Sequence, residues 1–261
     1  MFEPRELDGE LEAVRDAHAP GAIVLDTEGD FETLPPEVAE NLLPIVDSLD
    51  PLSYPSEWLP VDAPETLHRI AGSEFTVGAP GDGGVAWTRQ TDPPVVFVKP
   101  RLEGSPEGFI DFLIAEALVE VGLGHPEHFL GFFEEQYLAL DEAVPLSSAD
   151  TYQLGAALFD AYVGLHTRDV FENWADELPG LFEEWVDAGE RLEPRLSGLS
   201  GDVASGRTNF ADGAELACAA VKHDAEIPTP FSALNTSAYR EHGAAFAVRW
   251  AEKTFEAMGE D

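Results

Sequence analysis

Val85-Ala86-Trp87-Thr88-Arg89-Gln90, then Asp92-Pro93-Pro94, then Val95-Val96-Phe97-Val98-Lys99, form two β-branched and aromatic runs about a Pro-rich turn, the pattern of a hairpin. Phe75-Thr76-Val77, set off by Gly81-Asp82-Gly83-Gly84, adds a third run, so residues 75–102 read as a three-stranded antiparallel meander. After Pro106 the spacing turns helical almost to the end. Helices are predicted over 106–122, 126–142, 149–167, 175–196 with a break at Pro194, 210–223 and 236–258. The run from Phe109 to Val121 is apolar on nearly every side, which makes it the central helix, buried against the sheet. The fold class that follows is α+β: mainly helical, with a small three-stranded antiparallel meander packed on a central helix.

Upstream the pattern is less regular. Leu7, Leu11 and Val14, and then Val38, Leu42, Ile45, Val46 and Leu49, space as two short amphipathic helices around the apolar run Ala22-Ile23-Val24-Leu25, and Pro44 should shorten the second. Residues 50–60 hold three prolines and read as an extended loop that packs Tyr54 and Trp58. Asp62-Ala63-Pro64-Glu65 resembles a capping box opening a short helix that stops at Gly72. Residues 1–72 are therefore expected to form an irregular helical lobe, continuous in one domain with the meander and helical bundle of 73–261. Ser197 to Gly206, rich in Ser and Gly, is the expected mobile linker. Phe129, Phe132, Phe133 and Tyr137 have helical spacing and belong to the core, as does Cys218 among alanines.

Charge sets the solvent. The chain carries 51 Asp and Glu against 14 Lys and Arg, a formal net charge of −37. Such a globule repels itself in dilute buffer, whereas molar salt contracts the Debye length to about 3 Å and removes most of the penalty. Disorder is the competing reading of so acidic a chain, but 44% apolar residues with 16 Phe and 5 Trp suffice to bury a core. A lone Cys218, no basic segment leading an apolar core at the start, and no long uninterrupted apolar stretch point to a reducing cytoplasm with neither signal peptide nor membrane span. Phosphate backbones would be repelled, so nucleic acid is not an expected partner.

Several chemistries are absent at the level of dipeptides. No His precedes Glu, so the HExxH zinc helix cannot occur, and no Gly precedes Lys, so there is no Walker A loop. Gly-x-Ser-x-Gly and paired Cys-x-x-Cys are missing, and the glycines at 81–84 join strand to strand, where a dinucleotide fingerprint needs strand then helix. No cofactor is expected.

Two constellations remain. Between Arg69 and Arg101 four cations (Arg69, Arg89, Lys99, Arg101) face three carboxylates (Glu74, Asp82, Asp92), a balance of +1 in a chain at −37. Trp87, Arg89, Lys99 and Arg101 thus form a candidate face for a protein partner or a small anionic ligand, held by an arginine fork and stacking. The same cations could instead pair with acidic helices covering the sheet. The second constellation is a metal site: Glu116 and Glu120 one helical turn apart, then His125 and His128, with His166 further on. A di-iron bundle would need two Glu-x-x-His motifs, and only Glu65-Thr66-Leu67-His68 is present. The reading favoured is a non-catalytic binding protein, with a metal-dependent enzyme as its alternative.

The segments Gly81-Asp82-Gly83-Gly84-Val85-Ala86-Trp87-Thr88-Arg89-Gln90, Val98-Lys99-Pro100-Arg101-Leu102-Glu103-Gly104 and Pro126-Glu127-His128-Phe129-Leu130-Gly131-Phe132-Phe133 make the chain similar to an uncharacterised haloarchaeal protein family of unknown function. That resemblance implies a halophile origin and supplies no activity to transfer.

The charge argument has a direct test. Lowering KCl from about 1 M to about 0.1 M should reduce the thermal midpoint substantially, because screening is lost as the Debye length grows to about 10 Å. A midpoint equal or higher in dilute buffer would remove the reading.

Overall fold

The computed structural model describes residues 2–7, 9–72, 74–77 and 83–259. Its strands are β1 (Phe2–Pro4), β2 (Ile23–Thr27), β3 (Thr33–Leu34), β4 (Ser48–Leu49), β5 (Phe75–Thr76), β6 (Val85–Thr88), β7 (Thr91–Asp92) and β8 (Val95–Val98). Helices α1 (Gly9–His18), α2 (Pro36–Ala39), α3 (Glu65–Ala71) and α4 (Glu107–Leu123) intersperse with them. The rest is helical: α5 (Phe129–Phe133), α6 (Gln136–Ala143), α7 (Ser148–Glu172), α8 (Trp174–Glu177), α9 (Pro179–Leu196), α10 (Leu199–Ala204), α11 (Phe210–Ala219) and α12 (Ser237–Gly259). The chain divides into two compact units. The first comprises Met1–Tyr54, Arg69–His128 and Glu172–Glu184, the second Pro55–His68, Phe129–Phe171 and Trp185–Asp261.

In the first unit the hairpin of β6 and β8 forms as expected, antiparallel, with Trp87 opposite Val96. The third strand is not the one predicted. β2 lies on the other side of β8 and runs parallel to it, pairing Ile23 with Val95 through Asp26 with Val98. β1 adds antiparallel to β2, so the sheet is four-stranded and mixed, in the order β1-β2-β8-β6. Phe75–Thr76 pairs instead with Thr33–Leu34 in a separate two-stranded ladder. The physical reason lies in burial: β8 is buried at all four positions, and the apolar Ile23-Val24-Leu25 can cover that inner edge with side chains suited to both faces. Gly81 and Asp82 of the predicted glycine turn fall outside the described residues.

One face of the sheet presents Leu25, Ala86, Val95 and Phe97 to a core completed by Leu34, Ala39, Leu42, Val46, Phe75 and Val77. Phe2 and Phe31 meet the Phe97 ring at 5.6 and 5.5 Å. α4 covers the opposite face, packing on β6 and β8 and, along its other side, on α1. It is the central helix the apolar run predicted, with eight residues from Phe112 to Val121 buried, and it stops at Gly124 in the left-handed region (φ 71°).

The second unit is helical. Tyr137, Phe129 and Phe133 are fully buried, as their spacing predicted, and α12 packs on α5 and α6. The Tyr239 hydroxyl donates to the Leu158 carbonyl at 2.6 Å, fastening α12 to α7. Gly243 (φ 48°, ψ −130°) breaks the regular run of α12 into two stretches. The expected linker at 197–206 is a helix, α10, because Leu199 and Val203, one turn apart, both pack against Gly213 of α11 and outweigh the Ser and Gly around them. Pro194 lies inside α9 without ending it.

Two glycines separate packing from propensity. A methyl group on Gly122 of α4 would overlap the backbone carbonyl oxygen of His18 and stand 3.0 Å from its carbon, whereas one on Gly201 of α10 would meet nothing within 4 Å. Gly201→Ala should be neutral or stabilise by up to about 1 kcal/mol, while Gly122→Ala should destabilise by about 1–3 kcal/mol as α1 is pushed off α4. Denaturant unfolding of the two variants checks the sign difference.

Candidate functional site

Where the predicted residues stand is decided by strand alternation. Directly opposed residues in an antiparallel pair share a face, so Trp87 goes with Val96 and Ala86 goes with Phe97. Arg89, just past the end of β6, reaches the α4 side over the Trp87 ring, and Lys99, two beyond Phe97, falls on the other. The expected binding face is thereby split. Lys99 is 1% exposed, its ammonium 5.4 Å from the centre of the Phe31 ring. Arg101 is exposed and bonds Asp30 through Nε at 2.7 Å.

On the α4 side the two predicted constellations merge. The Trp87 indole N–H donates to Glu120 at 2.6 Å, and the Arg89 guanidinium lies 5.3 Å over the Trp87 ring while donating to the His125 carbonyl just beyond the end of α4. Glu127 is buried beside them. Its Oε1 accepts from the Thr88 hydroxyl and the Gln90 amide, both at 2.6 Å, and its Oε2 from the Arg89 backbone N–H at 2.9 Å. Gln90 in turn accepts from the Leu52 N–H at 2.8 Å, and the Tyr54 ring rests 6.1 Å from that of His128. Burial pushes the Glu127 carboxyl up, with the three hydrogen bonds pulling the other way, and burial together with that carboxylate raises Tyr54. Burial lowers His125, helped by the Arg89 charge, and takes His128 down to about 3. The arrangement acts as a clasp: one carboxylate gathers the end of β6 and, through Gln90, the loop at 50–54.

The candidate metal ligands do not gather. Glu116 is buried on α4, Glu120 is engaged by Trp87, and His166 stands on α7 in the second unit beside the Tyr162 ring at 4.8 Å. Among the described residues no three His, Cys, Asp or Glu side chains are placed to hold a metal ion.

The second unit contains a feature that the sequence reading passed over. An open groove of about 880 Å³ runs along α12, walled by Val203 and Ala204 of α10 and by Thr229, Pro230 and Ala233. α12 supplies Phe246, Trp250 and Met258 as an apolar floor, with Arg249 and Lys253 at its edge. Trp250 is held by its N–H on the Pro230 carbonyl at 3.0 Å. Among the described residues no carboxylate lines the groove; at the chain-wide share of 51 in 261, fifteen lining residues would carry about three. Among the described residues neither Arg249 nor Lys253 is paired with a carboxylate, and the same holds for the side chains of Arg69, Arg89 and Arg195, whereas Arg5, Arg15, Arg101, Arg168, Arg191, Arg207 and Arg240 are paired. A sequence signal was present: residues 227–259 hold three cations (Arg240, Arg249, Lys253) and three carboxylates (Glu241, Glu252, Glu256), no acidic excess at all.

His128 gives the clasp a titratable handle. Unfolded, its imidazole takes a proton near 6.5; folded, only near about 3. The folded state binds fewer protons between those values, so stability falls as pH drops from about 6.5 towards about 3 and is level above. Unfolding free energy in molar KCl should lose part of this slope in His128→Phe, and an unchanged slope would show that His128 does not stay neutral when buried.

Comparison with known proteins adds one match. No curated protein and no solved structure matches the chain. No helix among the described residues is long and apolar enough to cross a membrane. Residues 1–258 match a family described as a family of unknown function, DUF7089. With nearly its whole length covered, the chain belongs to that family.

Proposed function

We propose that this chain is a non-catalytic binding protein of a salt-filled, haloarchaeal cytoplasm, and that its ligand occupies the groove along α12. The observation that carries the reading is the groove's lining: largely apolar, without a carboxylate among the described residues, and including exposed Arg249 and Lys253 in a chain at −37. A surface that serves only hydration in brine would scatter carboxylates over such a region as it does elsewhere. Their exclusion leaves a hydrophobic concavity in the volume range of small-molecule sites.

Two of the residues first expected to bind support this assignment by what occupies them: Lys99 is buried and Arg101 is paired with Asp30. Trp87 is engaged by Glu120 and carries the Arg89 guanidinium over its ring.

A neutral, environment-sensitive dye such as Nile red tests the groove in molar KCl. Dye fluorescence should rise saturably with the wild-type protein and fall at least about tenfold in affinity with Ala204→Trp, which fills the groove from exposed α10. Circular dichroism of the variant should be unchanged. Equal dye binding by folded Ala204→Trp would overturn the assignment.

A further inference from the structure

We infer that the groove takes an amphiphilic anion, a single apolar chain or ring system bearing one carboxylate or phosphate head, with the head between Arg249 and Lys253. The inference rests on the binding role proposed above and adds the chemistry of the ligand.

Position on the helix makes the two cations one recognition element. Residues four apart on an α-helix lie on the same face, about 5–6 Å between Cβ atoms. Like charges at that spacing repel, and seven of the eleven arginines of this chain pair with a carboxylate: Arg191 bonds Asp187 one turn away, and Arg207 bonds Asp202. On α12 the nearest acidic neighbours in sequence, Glu252 and Glu256, are outside the groove lining, and neither pairs with Arg249 or Lys253. The pair is therefore left as a two-pronged cation, and a head group with two or three oxygens can accept from the guanidinium and the ammonium together.

The floor decides the rest of the ligand. Phe246 and Trp250 lie one turn apart among the lining residues, and Met258, 47% exposed, adds to that apolar surface. A small hydrophilic anion would leave this surface wet, while an apolar tail covers it at about 25 cal/mol per Å² of area removed from water. Met also accommodates tails of differing shape. A macromolecular polyanion fits poorly, because two cations cannot offset repulsion from a body at −37. The committed occupant is a soluble, single-headed amphiphile.

Octanoate, octyl phosphate and octanol provide matched probes, with binding read by isothermal calorimetry in about 1 M KCl and by displacement of Nile red. Octanoate and octyl phosphate should bind at least about tenfold more tightly than octanol, and Arg249→Gln with Lys253→Gln should abolish the difference while leaving octanol binding unchanged. Both substitutions are at exposed helix positions, and unchanged circular dichroism confirms that the variant is folded. Equal affinity for octanol and octanoate overturns the inference and leaves the groove as an apolar site. Failure of all three probes and of Nile red overturns the groove itself. Binding only to vesicles of anionic lipid, with none to monomeric octyl phosphate, overturns the committed occupant in favour of a membrane headgroup.

Discussion

The parallel pairing of Ile23–Thr27 with Val95–Val98 is the contact on which the first unit depends. A strand buried at every position needs a hydrogen-bonding partner on each edge, since backbone polar groups without one cost as much as a lost hydrogen bond. β6 satisfies one edge of β8 locally, across a short turn. The other edge is satisfied by residues some seventy positions earlier, and that pairing encloses the segment between them: the loop-rich ladders of β3 with β5 and β4 with β7, and the short helices that roof the Phe97 face. Leu25 and Phe97 are adjacent because of it, and so are the Phe2, Phe31 and Phe97 rings.

Glu127 then finishes what the sheet begins. A buried carboxylate is costly unless its oxygens are occupied, and here three donors arrive from three consecutive residues, Thr88, Arg89 and Gln90, as the chain leaves β6. Consecutive residues converge in this way only where the strand gives up its extended alternation, so the carboxylate stabilises the turn that feeds β7. The Gln90 side chain passes the constraint on to Leu52. An acidic residue in a site like this is consumed by structure.

How much was legible follows from the range of each interaction. Helices were readable because their periodicity is local: α4 from its all-round apolarity, α7 and α12 from spacing, and α3 from its capping residues. The hairpin of β6 and β8 was readable from its turn. The third strand was not, since Ile23-Val24-Leu25 and Phe75-Thr76-Val77 are equally strand-like and only tertiary burial chooses between them. The split of Trp87 and Arg89 from Lys99 was hidden for a related reason. Both strands alternate, but their shared faces depend on a register that a slip of one residue would invert. α10 was misread because composition weighed Ser and Gly above the pair Leu199 and Val203, whose packing on Gly213 is a long-range fact.

The groove was hidden differently, by the size of the background against which its charge stands. With more than three carboxylates for every cation, an arginine on this surface readily meets a carboxylate, and seven of the eleven arginines do. Exposed pairs of this kind are worth at most about 1 kcal/mol, and less as the salt concentration rises. Pairing is then nearly free to gain or lose, and stability alone gives no reason to keep two cations apart from acids over a surface of fifteen residues. A ligand head group does give one. Where salt screens long-range attraction, only direct contact between charges survives, so the anion site proposed above would need its cations unneutralised beside apolar surface, as Arg249 and Lys253 are beside Phe246 and Trp250 on α12.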